Sequence, residues 1–219
     1  MPGSKKRVVL CDIDGTLITG ETQFCFLWYL FRRKRISFPL FLTVLFWFLL
    51  YRFGLMRDTD RVRKAGYTVF AGCRKDDLGR MARELFDHDI KGRLRPDILR
   101  ILQDLNDQGC RIIFLSASLA DIVEPIQDHL GFGQVLATRL EVRGGVLTGK
   151  IDGKPVYGQE KIAVVDKFLQ SHGLDWTGSV ALADHISDLP LLSRAGRAIA
   201  VAPDRELRKA ARDRGWEIR

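Results

Sequence analysis

Several apolar stretches in this chain are short unbroken runs, most of them closed by an acid or a hydroxyl. Val8, Val9 and Leu10, within Arg7 to Cys11, end at Asp12 and read as a buried strand entering a loop. RIIFLS from Arg111 to Ser116, QVLATRL near Val135, SVALAD from Ser179 to Asp184 and AIAV from Ala198 to Val201 repeat the pattern. Between them, Pro96 to Gln108, Leu119 to Leu130, Gln159 to Ser171 and Asp204 to Arg214 have helical spacing. A strand without a polar face must be covered on both sides, and strands that alternate with helices are joined by crossovers. The pattern therefore predicts an α/β fold: a Rossmann-like, mostly parallel sheet with helices on both faces.

Two stretches break the alternation. Val142 to Ile151 reads as a hairpin around Gly144 and Gly145. Residues 17 to 92 offer no good buried strand and stand between the first strand and the rest of the sheet, which predicts a helical cap inserted after that strand. The expected domains are a core of residues 1–16 and 93–219 and a cap of residues 17–92, the latter with an apolar, basic segment at 24–57. There is no internal repeat or low-complexity linker.

Composition narrows this reading. A chain of 219 residues, 46% of them hydrophobic, can bury one substantial core and excludes general disorder. The net charge of +8 is regional, since residues 1 to 64 hold twelve Lys and Arg against five Asp and Glu. Those cations are interleaved with long apolar runs instead of lining a polar groove, which argues against nucleic acid as partner. Cys11, Cys25, Cys73 and Cys110 form no CxxC pair, so neither a zinc site nor a disulfide framework is indicated, and a reducing, cytosolic setting fits. The basic start MPGSKKRVVLCDIDG meets an acid too soon to read as a signal peptide.

In an open α/β sheet, ligands gather beyond the carboxyl ends of the strands. The residues there are Asp12, Asp14 and Thr16 after the first strand, Ser116 after the second, and Asp184 with Asp188 later; Lys161 lies near a helix start. Carboxylates so crowded call for a divalent cation, and hard oxygen ligands with room for a phosphate suit magnesium. With the metal present, Asp12 could attack phosphorus, while Lys161 and Ser116 stabilise the phosphoryl oxygens. Asp14, among like charges, could serve as acid and then base. Each piece alone has a plainer reading: a strand-to-turn acid, a loop serine, a solvated lysine, an N-cap with a first-turn acid. Their joint occurrence at strand ends favours the chemical one.

DIDGT at Asp12 to Thr16 resembles the first motif of the haloacid dehalogenase superfamily, and the other motifs follow in that family's order: Ser116, Lys161 in GQEK, and ADHISD at Ala183 to Asp188. The cap position resembles the subgroup related to phosphoserine phosphatase. The resemblance implies a magnesium-dependent phosphatase: Asp12 nucleophile, Asp14 acid and base, Ser116 and Lys161 phosphate contacts, Asp12, Asp14 and Asp184 at the metal, and Thr16 and Asp188 in support. His185 departs from the small residue that many relatives carry, and if it faces the site it would crowd metal or substrate. Glu21 falls where phosphoserine phosphatases hold a substrate amine, although a helix first-turn acid is the more economical reading. The arginine expected to pair with a substrate carboxylate has only regional candidates, Arg61 and Arg63.

The cap sequence points to another substrate. FCFLWYLF at 24–31 and ISFPLFLTVLFWFLLY at 36–51 are unlike a soluble cap, the second being apolar nearly all round, with Arg32, Arg33, Lys34 and Arg35 between them and no acid from Thr22 to Arg57. Ile36 to Tyr51 as a helix would measure roughly 24 Å, short of a roughly 30 Å hydrocarbon core. Both ends of the cap must also return to one core, which predicts a shallow hairpin with its cations at anionic head groups. The expectation is a phosphorylated lipid as substrate, as in the similar phosphatidylglycerophosphatase C group of the superfamily, with a monotopic or peripheral place on the cytoplasmic face of the membrane. The alternatives are a cytosolic phosphatase of small phosphomonoesters such as phosphoserine, with the apolar runs as cap core or dimer interface, and a catalytically silent membrane-binding module. Oligomeric state is not legible.

Overall fold

The computed structural model of the chain describes residues 7–52 and 66–219. Its strands in chain order are β1 (Val8–Asp12), β2 (Arg111–Leu119), β3 (Gln134–Arg143), β4 (Val146–Asp152), β5 (Val180–Ala183), β6 (Arg197–Ala200) and β7 (Glu217–Ile218). They form one sheet in the order β4-β3-β2-β1-β5-β6-β7, parallel throughout except for the antiparallel β3–β4 pair. This is the predicted fold class.

The helices are α1 (Thr22–Arg32), α2 (Phe38–Arg52), α3 (Lys75–Leu85), α4 (Pro96–Asp107), α5 (Ala120–Leu130), α6 (Gln159–Ser171), α7 (Leu189–Arg194) and α8 (Arg205–Asp213). Side chains alternate across a strand, so an all-apolar strand serves two cores. Val9 and Cys11 of β1 join Ile112 and Phe114 of β2 beneath Ile98 and Leu102 of α4 and Val123 and Ile126 of α5. Val8 and Leu10 join Ile113 and Leu115 beneath Val165 and Phe168 of α6 and Leu207 of α8. Burying each of these larger side chains contributes about 1.5–3 kcal/mol.

The structure differs from the sequence reading in three places. The run near Val135 and the hairpin at 142–151 are continuous: β3 runs from its pairing with β2 into its pairing with β4, with a register shift between Leu140 and Val142. Such irregularities increase local twist and let one strand serve two partners. The short α7 and the two-residue β7 are additional elements with too few residues to display a period.

Between β1 and α4 lie α1, α2 and α3. α1 and α2 turn back on each other through the basic residues 33–35, with Phe31 stacked on Phe41 at 4.4 Å and Trp28 tilted against Phe41 at 5.9 Å. α2 begins at Phe38 because Pro39 suits a first turn and the Ser37 hydroxyl accepts from Leu40 N–H at 3.4 Å. α3 is tied to α1 by the Tyr29 hydroxyl, which donates to Glu84 at 2.7 Å. The chain before α3 adds to the hairpin edge: Gly72 N–H donates to Leu147 O, Leu147 N–H to Cys73 O, and Lys75 N–H to Gly145 O, at 2.8–3.0 Å. Among the described residues no helix is long and apolar enough to cross a membrane.

After α5 the chain reverses through Gly131 and Gly133, both at positive φ (72° and 84°). A Cβ on Gly131 would meet open space, whereas one on Gly133 would lie 2.5 Å from the ring of buried Phe114. Gly131→Ala should therefore cost about 1–2 kcal/mol from backbone strain alone. Gly133→Ala should cost a further 1–3 kcal/mol, roughly, for displacing the ring. Urea denaturation of both variants measures the difference, and equal losses would contradict this packing.

Candidate active site

The strand order places the carboxyl ends of β1, β2 and β5 side by side, and the loops there bring together acids that are far apart in sequence. After β1 the chain turns at once: Gly15 has φ 79°, and its N–H donates to Gly20 O at 2.9 Å. Gly15 is also a close approach, because a Cβ there would lie 2.0 Å from Asp184 Oδ2. The first loop thus packs directly against the loop that follows β5. Fully buried Thr16 supports the contact by donating to Asp184 Oδ1 at 3.3 Å.

Lys161 is the third residue of α6 and is only 4% exposed. Its ammonium donates to Asp12 Oδ1 at 2.5 Å and to Asp188 Oδ2 at 2.8 Å. Burial alone would lower its pKa, but the Asp12 and Asp188 carboxylates raise it above the ordinary lysine value and keep it cationic. Burial raises the Asp12 pKa well above the usual range; Lys161 opposes this, while Asp188, Asp184 and Asp14 add to it. Asp184 is pushed up to about 7, first by burial and then by Asp188. One ammonium does not balance this group of acids, and Asp188 Oδ1 is buried with no hydrogen-bond partner.

Asp14 is held differently. Its Oδ1 accepts from Thr22 N–H at 2.6 Å, while Oδ2 accepts from the Ser116 hydroxyl at 2.9 Å and the Ser118 hydroxyl at 3.3 Å. Ser116 Oγ in turn accepts from Ser118 N–H at 2.9 Å. The Asp14 carboxyl is thus tied to the ends of both β2 and α1, whereas Asp12 meets Lys161 and Asp184 meets Thr16. Among the described residues no three acid, histidine or cysteine side chains form a ready-made metal cage. Magnesium, which takes one or two carboxylates plus water and phosphate oxygens, does not require one.

The structure gathers Asp12, Asp14, Thr16, Ser116, Lys161, Asp184 and Asp188 at one sheet end. Glu21 occupies the N-cap position of α1, not its first turn, and its half-buried side chain makes no capping bond. His185 bonds within its own loop and toward the start of α8: its Nδ1 accepts from Ser187 N–H at 3.1 Å, and Nε2 lies 3.5 Å from Asp204 Oδ2. Arg61 and Arg63 lie outside the described residues. Ser118, Thr22 and Asp204 are additional participants. Ser118 lies where the pairing of β2 with β3 shifts register between Ser116 and Leu119, so strand period gives no signal for it. Asp204 caps α8 through Leu207 N–H at 2.7 Å and braces the Asp184 loop by accepting from Ile186 N–H at 2.8 Å. Its own N–H donates to Asp184 O at 2.9 Å.

With this geometry described, comparison with known proteins gives a consistent result. Residues 9–193 match the profile of the haloacid dehalogenase-like hydrolases. The phosphoserine phosphatase SerB1 of Mycobacterium tuberculosis is 28% identical over 213 residues, covering 95% of this chain and 68% of the relative. A histidinol-phosphatase of Neisseria meningitidis is 25% identical over 218 residues, covering 97% and 98%. In fold, the chain matches a protein of unknown function from Bordetella pertussis Tohama I with TM-score 0.88, 24% identity and 98% of both chains covered. A phospho-aspartyl intermediate analogue of phosphoserine phosphatase matches with TM-score 0.69, 20% identity and 98% and 93% coverage. The chain belongs to the haloacid dehalogenase-like hydrolase family and is a phosphatase close to the phosphoserine phosphatase type.

The acid cluster predicts how stability depends on pH. An unfolded chain releases its aspartyl protons near pH 3.9, roughly, whereas folded Asp184 retains its proton up to about 7. Its contribution is therefore full below the lower value and lost as pH rises through the higher one. In EDTA, the melting temperature should fall between about pH 4 and about pH 7, and fall less in Asp184→Asn. Scanning fluorimetry across that range tests this; parallel curves for the two proteins would refute it.

Proposed function

We propose, taking family membership as the premise, that this chain hydrolyses small phosphomonoesters through a phosphoryl group carried on Asp12, with magnesium as cofactor. The observation that carries the reading is the buried Lys161 ammonium in contact with Asp12, beside Asp14 and Ser116 at the same sheet end. The donor set fits a hard divalent cation, since excess carboxylate charge and an unpartnered Asp188 oxygen are buried there. Asp12 and Asp184 would hold it, and when bound it would supply positive charge to the phosphoryl oxygens.

In the first step an Asp12 carboxylate oxygen bonds to phosphorus as the ester bond breaks, and the departing alkoxide takes a proton from Asp14. In the second, water gives that proton back to Asp14 as its oxygen displaces the Asp12 carboxylate. Lys161 orients Asp12 and, with the Ser116 hydroxyl, stabilises the phosphoryl oxygens. Asp188 holds Lys161, and Thr16 holds Asp184. The same reading takes residues 17–92 as a cap over a core of 1–16 and 93–219.

The substrate class follows from the names of the relatives: phosphoserine and histidinol phosphate are both phosphate esters of amino alcohols. Glu21, one residue before the helix that contacts Asp14, is the proposed amine contact. Asp12→Asn should lower phosphate release from such esters by at least ~10³-fold without unfolding the protein. EDTA should abolish it, and magnesium should restore it. Activity unchanged in Asp12→Asn would reject the nucleophile.

A second reading is favoured by one surface. Phe38 and Leu42, one turn apart on α2, are 58% and 45% exposed beside the basic residues 32–35. An apolar face flanked by cations suits the surface of an anionic bilayer, which would admit a phosphorylated lipid head group. The discriminating measurement is cosedimentation with phosphatidylglycerol vesicles together with phosphate release from phosphatidylglycerophosphate. Binding and turnover support the lipid substrate; neither occurring, with amino-alcohol phosphates hydrolysed, removes it.

A further inference from the structure

Ser116 has been given two tasks that compete for one proton. Its hydroxyl donates to Asp14 Oδ2 at 2.9 Å, yet on the proposed mechanism it must donate to a phosphoryl oxygen once substrate binds. A serine hydroxyl has a single proton, so the contact with Asp14 would be given up at the moment when the orientation of Asp14 matters. A second hydroxyl is already in reach. Ser118 is 2% exposed, lies two residues further along β2, and directs its Oγ at the same Asp14 oxygen at 3.3 Å. At that distance the bond is long and can shorten when Ser116 withdraws.

The position of Ser118 is itself determined. Its Oγ lies 2.6 Å from the Oγ1 of fully buried Thr22, and either atom could be the donor. If Ser118 gives its proton to Asp14, Thr22 must give its own to Ser118, so the three groups form a directed chain from Thr22 through Ser118 to Asp14. Thr22 holds Asp14 from the other side as well, because its N–H donates to Oδ1 at 2.6 Å. Both residues thus grip one carboxyl, and Thr22 is the first residue of α1.

We propose that Ser118 and Thr22 are positioning residues that hold the Asp14 carboxyl in place when the Ser116 hydroxyl turns to the phosphoryl group. The inference rests on Asp14 being the acid of the proposed mechanism. It makes α1 part of that grip, since the first turn of the helix supplies one bond to Asp14 directly and the other through Ser118.

The test uses leaving groups. An alkoxide needs a proton from Asp14, whereas p-nitrophenolate departs without one, so misplacing the acid should slow the first ester and spare the second. In first-turnover measurements with magnesium present, Ser118→Ala should slow product release from glycerol phosphate by about 10-fold or more, the effect of losing a hydrogen bond to a charged group. Release from p-nitrophenyl phosphate should slow by less than about 3-fold, with KM for both esters nearly unchanged. Thr22→Val, which removes the hydroxyl and keeps the shape, should show the same division and serves if Ser118→Ala fails to fold. The double variant should be within about 2-fold of Ser118→Ala, because the two act in series.

Equal slowing of both esters, a change confined to KM, or fully additive losses would overturn the proposal. Asp14→Asn run in parallel separates it from its premise. If Asp14→Asn divides the esters and Ser118→Ala does not, the grip is wrong and the acid stands. If Asp14→Asn fails to divide them, the acid assignment falls and the grip falls with it.

Discussion

The contact between the Lys161 ammonium and the carboxyls of Asp12 and Asp188 is the constraint on which the rest of the site depends. Removing one buried charge from such a set leaves the others uncompensated, at a cost of several kcal/mol, roughly. The protein can make this contact because β5 pairs with β1 and not with its predecessor in sequence. The chain builds outward from β1 through β2 to β4, then returns to the other side of β1 for β5, β6 and β7. At that reversal the strand-end loops diverge and open a crevice, the usual place for a ligand in such sheets. α6, which carries Lys161, leads into β5 and so delivers its ammonium to the crevice.

The loops around the crevice are held from behind. Asp204 ties the Asp184 loop to the N-terminus of α8, and Thr16 ties it to the first loop. His185 is drawn into this support, which explains why a bulky residue is tolerated next to Asp184. The carboxyls can therefore remain close despite their repulsion, because hydrogen bonds from Asp204 and Thr16 fix the loops that carry them. Repulsion that the backbone will not relieve by moving apart is available to bind a cation.

The segment between β1 and α3 is anchored at both ends in different ways. Its return before α3 is hydrogen-bonded to the edge of the β3–β4 hairpin, while its start, at Thr22, is bonded to Asp14 itself. α2 lies at the far side, held to α1 chiefly by aromatic contacts, with Phe38 and Leu42 turned outward. Apolar sequence there reflects two demands, packing against α1 and presentation of an outer face, and hydrophobicity alone does not separate them.

Much of the sheet was legible in the chain, because a strand covered on both faces must be apolar at every position, and such runs are visible without coordinates. The acids of the candidate site were legible for a related reason: they lie at or shortly after the ends of such runs, and parallel strands bring those ends together. Features that depend on partners distant in sequence were not legible. No local signal joins Thr22 to Asp14, distinguishes Ser118 from an ordinary strand serine, or turns His185 toward Asp204. The hydrogen bonding of the Asp14 carboxyl by Thr22, Ser116 and Ser118 is likewise a property of three meeting segments. Sequence alone determined which residues could carry the chemistry, since period and spacing are local; tertiary structure decided which oxygen each of them faces, since that depends on where separate strands and loops come to rest.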